Sequence, residues 1–248
     1  MTGALLGLVN GSELDGYLDQ LLTRDVQVAA SVRDPARLRR YFAALALNSA
    51  GMAEHQTLYT AAGINRLTAL EYDRLLTNLF VTDELPAWTG NRFSRLIKTA
   101  KRYLIDPALL GAALRLDEAA IVRDGDILGR MLDTFVMAQL RPEVEVSALR
   151  PRLYHLREKD CRREIDIVGE FGSGVVGIEM KATASPGPDD AAHLRHLRDQ
   201  LGDRFLGGAV LHTGPRAFAL SERRSCPWTC VEAEAVDRRP PRGSHWDA

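Results

Sequence analysis

The chain has 248 residues, and its 32 Lys and Arg residues against 33 Asp and Glu residues give a formal net charge of −1. Nucleic-acid-binding proteins usually carry a basic excess, so the overall charge does not favour that class. The odd number of cysteines, 3, argues against a disulfide framework. The apolar run at residues 4–9 is too short to span a bilayer and lacks a basic flank, so we expect a cytoplasmic protein without a membrane anchor.

The N-terminal part of the chain is predicted to be helical. Residues 13–28 form the first helical pattern, within a segment, 1–33, that we interpret as a linker or the remnant of a helical lid. Asp34 followed by Pro35 predicts the start of the next helix, because an N-cap carboxylate accepts from the first amides and proline has no amide hydrogen to satisfy. This helix is expected to end at Gly51.

Two more helices and two strands complete the first domain. One short helix is predicted over residues 57–62, and another begins at Thr68, where Glu71 would complete a capping box. Strands are predicted over residues 79–81 and 95–104. A helix, a glycine turn, a helix and then two strands are typical of a winged-helix-like domain, which we place at residues 34–106.

The second predicted strand carries a basic segment without acidic residues, which contains Arg95, Lys98, Lys101 and Arg102. Strand alternation places Arg95 and Lys101 on one face and Lys98 and Arg102 on the other, so the four charges do not converge. Two interpretations stay open. The segment is a DNA-binding wing, or it is either a solvated basic hairpin or a face for a partner protein.

Helices and strands alternate from residue 107 onward. Two helices, residues 127–140 and 189–201, accompany strands predicted over residues 152–156, 164–168, 175–180, 206–212 and 228–231. This order predicts an α/β (α+β) domain with a mixed central sheet over residues 107–236. The last segment, residues 237–248, has the arginine- and proline-rich composition of a disordered tail.

A glycine pattern lies between two of these strands. Residues 172–177 match the spacing of the dinucleotide-binding fingerprint. That fingerprint binds phosphate only where it opens a helix, whereas this one leads into a strand. The pattern therefore predicts a hairpin and not an NAD site.

Two neighbouring strands carry charged residues that a buried sheet does not normally hold. Asp166 lies in one strand, and Glu179 and Lys181 lie in the next. Burial of such groups is costly unless they are paired or bind a metal. Carboxylates and an ammonium can hold Mg²⁺ and orient an attacking water, whereas a solvated strand face is the simpler explanation. Asp133 lies at the margin of the apolar stripe of the preceding helix, so it points either toward the sheet or into water.

Each of these residues has an expected chemical role. Asp166 and Glu179 would bind Mg²⁺ or Mn²⁺ through oxygen, and Asp133 would complete the coordination shell. Lys181 would orient the attacking water and stabilise charge on the phosphate. Arg157, on a neighbouring strand, would contact a nucleic-acid phosphate, or it would form a structural salt bridge with a nearby carboxylate.

The segments that carry a family resemblance are residues 17–26, 85–88, 98–106, 132–136, 154–157, 164–166 and 179–181. The last two, with Asp133, resemble the site pattern of the PD-(D/E)XK nuclease-like fold. Taken together, the segments resemble the prokaryotic ATPases of the AAA superfamily that carry a C-terminal DUF4143 domain. The resemblance implies a nuclease-like domain after the winged helix, and it covers the chain from about Tyr17 to the low two-hundreds.

The chain departs from this family pattern in two ways. It has no Gly-x-x-x-x-Gly-Lys-Ser/Thr phosphate-binding loop, so we do not expect this polypeptide to bind ATP. Asp133 also stands where the family pattern usually has Glu, and the shorter side chain has less reach toward a metal.

Two functional hypotheses follow. The first is a metal-dependent nuclease that hydrolyses the phosphodiester bonds of DNA, with the winged helix positioning the substrate. The second is a non-catalytic module that binds DNA or protein as the accessory part of a split or truncated AAA ATPase, with a separate ATPase subunit as its partner.

Overall fold

The protein combines a helical N-terminal half with a six-stranded sheet. The structure is a computed structural model that describes residues 11–25, 34–89, 98–158, 163–172, 174–216, 218–219 and 228–232. The predicted α/β class is confirmed at this level. The predicted tail at residues 237–248 lies outside the described residues, and so does Arg95.

The N-terminal helices are α1 (Gly11–Gln20), continued by a π-helical turn (Leu21–Asp25), α2 (Pro35–Leu47), α3 (His55–Ala61) and α4 (Arg66–Asn78). The predicted Asp34 cap is confirmed, because its Oδ1 accepts from the amides of Ala36 at 3.0 Å and Arg37 at 3.1 Å. The predicted start of α4 at Thr68 is wrong by two residues. Asn65 caps this helix instead, since its Oδ1 accepts from the Thr68 amide at 2.9 Å.

A two-stranded antiparallel hairpin follows, made of β1 (Thr82–Leu85) and β2 (Lys101–Leu104). The predicted strand at residues 79–81 is wrong, because these residues close the end of α4. The amide of Leu79 donates to the Leu75 carbonyl at 3.0 Å, and that of Val81 donates to the Leu76 carbonyl at 2.9 Å. Of the predicted strand at residues 95–104, the structure describes residues 98–104, and only the last four are paired in the hairpin.

Three helices lead from the hairpin to the sheet: α5 (Pro107–Leu114), α6 (Glu118–Arg123) and α7 (Gly125–Val146). Helix α7 begins at an Asp124 cap and extends beyond the predicted 127–140 at both ends. Among the described helices, none has both the length and the apolar character required to cross a bilayer.

The sheet is mixed, as predicted. Its strands are β3 (Arg152–Arg157), β4 (Glu164–Glu170), β5 (Val175–Lys181), β6 (Phe205–His212), β7 (Phe218–Ala219) and β8 (Trp228–Glu232), in the order β3-β4-β5-β6-β8-β7. Strands β3, β4 and β5 form an antiparallel meander, whereas β5, β6 and β8 are parallel. Helix α8 (Ala192–Leu201) makes the crossover from β5 to β6. The glycine pattern at residues 172–177 leads into β5, which agrees with a hairpin.

Two apolar clusters lie on the two faces of the sheet. One includes Leu153, Ile167 and Met180 and continues through α7 into the N-terminal helices. The other includes Tyr154 and packs the opposite face against α8. Neighbours such as Leu153 and Tyr154 belong to different clusters because successive strand residues point to opposite faces. The first cluster crosses residue 106, where we placed a domain boundary, so both predicted domains share this core.

Strand β4 contains a β-bulge at its N-terminal end. Tyr154 pairs with Val168, but Leu156 pairs with Ile165, so two residues of β4 oppose the single residue His155. The two residues are Asp166 and Ile167. Because Ile167 packs in the first cluster and Ile165 in the second, the bulge lets Asp166 stay on the α7 side together with Ile167.

Strand β5 packs closely on α8 at Gly177. A Cβ atom at this position would lie 2.5 Å from Cδ2 of the buried Leu194. We expect Gly177→Ala to destabilise the protein by about 1–3 kcal/mol, because the packed helix must shift to admit the methyl group. Urea unfolding measures the change.

The matched control for this substitution is Gly187→Ala. No atom lies within 4 Å of a Cβ built at Gly187, so its effect should stay within about 0.5 kcal/mol. Equal stability of the two variants would contradict the close packing of β5 against α8.

Candidate functional site

A polar cleft of about 670 Å³ opens where the start of β4 meets the end of β5. The antiparallel pairing of these strands brings the two ends together. Five acidic and four basic side chains line the cleft, together with a histidine: Asp126, Asp133, Glu164, Asp166, Glu179, Lys101, Arg130, Arg157, Lys181 and His193. All four residues predicted to form a catalytic site, Asp133, Asp166, Glu179 and Lys181, are therefore brought to one cleft.

Asp166 accepts hydrogen bonds from residues on two other strands. Its Oδ2 accepts from the Met180 amide at 2.9 Å, and its Oδ1 accepts from Lys101 Nζ at 2.8 Å. The regular β4–β5 pairing stops at Ile167. The Met180 amide, which lies beyond this point, donates to the Asp166 side chain and not to a backbone carbonyl of β4. Burial alone would raise the pKa of Asp166, but the Lys101 ammonium and the Met180 amide hold it below its usual value.

Lys101 is a buried ammonium among carboxylates. Its side chain is 3% exposed, and Nζ lies 3.7 Å from Glu164 Oε1 and 3.8 Å from Asp133 Oδ2 in addition to the contact with Asp166. Burial by itself would lower the pKa of Lys101, yet the surrounding carboxylates raise it above its usual value. Lys101 is therefore charged in the folded protein, although almost no water reaches it.

Glu179 is buried with an unsatisfied oxygen. Its side chain is 3% exposed, and no hydrogen bond reaches Oε1. His193 Nδ1 lies 3.3 Å from this oxygen but donates to the Glu164 carbonyl at 2.7 Å. Burial, with the Asp166 carboxylate adding to it, raises the pKa of Glu179 to about 9. In the metal-free protein, Glu179 is therefore neutral at pH 7.

Asp133 and Lys181 stand at two sides of this cluster. Asp133 points toward the sheet and not into water, which decides the alternative that the helical pattern left open. Burial and the neighbouring Asp166 carboxylate raise the pKa of Asp133 well above its usual value. Lys181 Nζ lies 3.7 Å from Glu179 Oε2, and its side chain is 33% exposed, so it faces the open part of the cleft.

The donor set of the cleft fits a hard divalent cation. Magnesium and manganese prefer carboxylate oxygens, and Glu179 Oε1 is an oxygen without a hydrogen-bond partner. In the part of the chain that the structure describes, no three acidic, histidine or cysteine side chains are already arranged as ligands. The Lys101 ammonium lies among three of the carboxylates. Because the ammonium already occupies the space between them, these carboxylates are not arranged as metal ligands.

Of the four described residues that were predicted to bind nucleic acid, Lys101 and Arg157 line the cleft, whereas Lys98 and Arg102 do not. The side chain of Lys98 is exposed, whereas that of Lys101 is buried in the cleft. Arg102 Nε lies 3.5 Å from Glu84 Oε1, on the other face of the β1–β2 hairpin. Arg157 lines the cleft with its Nε 3.9 Å from Glu164 Oε2, which is a contact of the salt-bridge kind.

Sequence analysis did not assign Glu164, His193 or Arg130 to the site. Glu164 lies two residues before Asp166 on the same strand, so alternation was a usable signal. His193 belongs to the crossover helix α8, and its approach to Glu179 depends on how that helix packs. Arg130 lies on α7 one turn before Asp133, where it donates to Asp126 Oδ2 at 2.8 Å and to the Ser49 carbonyl at 3.3 Å.

Comparisons with protein families give two matches along the chain. Residues 128–231 match the family described as Domain of unknown function (DUF4143). Residues 9–120 match the family described as Domain of unknown function (DUF8612). The predicted similarity to DUF4143 is thus confirmed, and the cleft combines Lys101 from the DUF8612 region with four site residues from the DUF4143 region.

Similar proteins occur in mycobacteria. An uncharacterized protein of Mycobacterium bovis and one of Mycobacterium tuberculosis are each 29% identical to the chain over 210 residues. The match covers 84% of this chain but only 45% of each relative, so the chain spans less than half the length of these relatives. No solved structure matches the chain.

Glu179 provides a test of the strain in this cleft. We expect Glu179→Gln to stabilise the metal-free protein by about 1–3 kcal/mol at pH 8, because folding of the wild type must protonate a carboxylate that is ionised in the unfolded chain, whereas the amide is neutral in both states. The wild type should lose stability as the pH rises from 4.5 toward about 9, since deprotonation of Glu179 is disfavoured only in the folded state.

Urea unfolding in the presence of a chelator measures both effects. The advantage of the Gln variant should grow with pH over this range and be small near pH 4.5. A variant that is less stable than the wild type at pH 8 would show that the Glu179 carboxylate is well stabilised without a cation.

Proposed function

We propose that this protein is a metal-dependent phosphodiesterase that hydrolyses DNA, with Mg²⁺ or Mn²⁺ as its cation. The observation that carries the proposal is the convergence of Asp133, Asp166, Glu179 and Lys181 on one cleft at the end of two antiparallel strands. A buried carboxyl oxygen without a partner, in a cleft with perturbed pKa values, is typical of a functional site.

The residues of the cleft have distinct roles in this proposal. Asp166 and Glu179 hold the cation, which when bound makes water more acidic and withdraws charge from the phosphate. Asp133 adds a carboxylate on the α7 side of the cleft. Lys181 is the most exposed amine of the cleft, so it orients the attacking water and stabilises the negative charge of the transition state.

Substrate binding is assigned to the basic groups at the rim. Arg157 is the group that contacts a phosphate oxygen, since its side chain is 36% exposed and its Nε lies 3.9 Å from Glu164 Oε2, a carboxylate oxygen that a phosphate would replace. The proposal also assigns residues 34–106 to a winged-helix-like domain and residues 107–236 to a nuclease-like PD-(D/E)XK domain. Lys98, which is exposed and lies three residues before β2, would then contact the DNA backbone.

A second candidate function is supported by the charge arrangement. Lys101 already neutralises Asp166, and among the described residues no three ligands are ready for a metal. These observations favour a non-catalytic module that binds DNA or protein, for which an ATPase of the AAA superfamily would be the partner. The two functions differ in whether the phosphodiester bond is cut.

Plasmid nicking with Mg²⁺ or Mn²⁺ tests the first function. We expect the wild type to nick supercoiled DNA, and Asp166→Asn and Lys181→Gln to lower the rate at least about 100-fold, because each removes a group that acts on the transition state. Lys181→Gln is the cleaner variant, since its side chain is partly exposed and its loss leaves Lys101 and Asp166 paired.

Arg152→Gln is the matched control for these variants. Arg152 is exposed and begins β3 at the end opposite to Arg157, so it should retain the wild-type rate. Nicking that persists unchanged in Asp166→Asn and Lys181→Gln would come from a contaminant. Binding of duplex DNA or of an ATPase subunit, with no nicking under either metal, would establish the second function instead.

A further inference from the structure

Lys101 places a positive charge among three carboxylates of this cleft. Its Nζ lies 2.8 Å from Asp166 Oδ1, 3.7 Å from Glu164 Oε1 and 3.8 Å from Asp133 Oδ2. No other amine of the described residues is so enclosed by carboxylates, because Lys181 is one-third exposed and contacts Glu179 from the open side. An ammonium in this place satisfies the same charges that a divalent ion would satisfy.

The ammonium does not satisfy the whole cluster. A single positive charge faces Asp133, Glu164 and Asp166, and the more distant Glu179 retains a buried oxygen without a hydrogen bond. A divalent ion carries twice the charge and takes several oxygen ligands at once. The cluster is therefore compensated well enough to fold, but it keeps at least one buried oxygen that a metal ion could bind.

Lys101 also comes from a different part of the chain than the acids. It is the first residue of β2, whereas the carboxylates lie on α7, β4 and β5. The long, flexible lysine side chain reaches the cluster from the β1–β2 hairpin, so the ammonium and the carboxylates are held by separate elements. Metal entry then requires the ammonium to leave Asp166.

We propose that Lys101 is a built-in competitor of the divalent cation, a positioning residue that keeps the carboxylates together before the metal binds and weakens the affinity for that metal. This inference rests on the proposed function, since it concerns the cation of the same cleft. It predicts that the ammonium and the metal exclude each other at Asp166, so that removal of the ammonium strengthens metal binding.

The test uses the full chain and Mn²⁺ as the probe, with the affinity measured by calorimetry and by the paramagnetic signal of free Mn²⁺. Lys101→Gln keeps a donor for Asp166 but removes the charge, and it should bind Mn²⁺ at least about tenfold more tightly than the wild type. Lys101→Arg keeps the charge and should show no gain. Arg152→Gln removes an exposed positive charge far from the cleft and controls for the change in net charge.

Stability gives a second readout that does not depend on activity. Without metal, Lys101→Gln should be less stable than the wild type, because it leaves carboxylates uncompensated. Saturating Mn²⁺ should raise its melting temperature by more than it raises that of the wild type. If the variant is unfolded without metal, Mn²⁺ should restore the fold, and failure to do so would contradict the proposed replacement.

The outcomes separate this inference from the proposed function. If wild type and Lys101→Gln bind Mn²⁺ equally, or the variant binds it more weakly, the competition is wrong while metal-dependent hydrolysis stands. If neither protein binds Mn²⁺, the competition and the metal-dependent function are both wrong. A tenfold gain in Lys101→Gln that Lys101→Arg and Arg152→Gln do not share supports the competition.

Discussion

The buried ion pair between Lys101 and Asp166 is the interaction on which the arrangement of the cleft depends. Its 2.8 Å contact joins the β1–β2 hairpin to strand β4 of the sheet. Taking either charge out of water is expensive, and the cost is recovered only when both partners and their further hydrogen bonds are in place. Asp166 accepts a further hydrogen bond from the Met180 amide, and Lys101 lies 3.7 Å and 3.8 Å from two more carboxylate oxygens.

The other buried carboxyl groups around this pair are destabilised in their charged form. Asp133 and Glu179 have pKa values raised by burial and by the Asp166 carboxylate, so each resists ionisation in the folded protein. Stability alone would favour neutral or apolar side chains at such positions. Groups that cost stability in this way cluster at functional sites, where the strain is retained because a ligand relieves it.

The Lys101–Asp166 ion pair also joins the two regions of the chain that match different families. The DUF8612 match contains Lys101, and the DUF4143 match contains Asp133, Asp166, Glu179 and Lys181. One apolar cluster runs through both regions, so the cleft is a shared product of the two. A DUF4143 region without its N-terminal neighbour would expose this core and lack the ammonium that compensates Asp166.

The sequence by itself determined the elements and the candidate acids. Proline and N-cap residues placed the start of α2, apolar periodicity placed α7, and the Asp166 and Glu179-x-Lys181 strands were identifiable because charged residues are unusual in buried sheets. The start of α4 was predicted wrongly because two polar residues compete as its N-cap, and Asn65 caps the helix before Thr68 can.

The tertiary structure decided that Asp133 faces the sheet, that a bulge in β4 keeps Asp166 on the α7 side, and that Lys101 is buried in the cleft and does not lie on a basic surface. These outcomes depend on packing between segments far apart in the chain, whereas periodicity and capping report only on neighbours within a few residues.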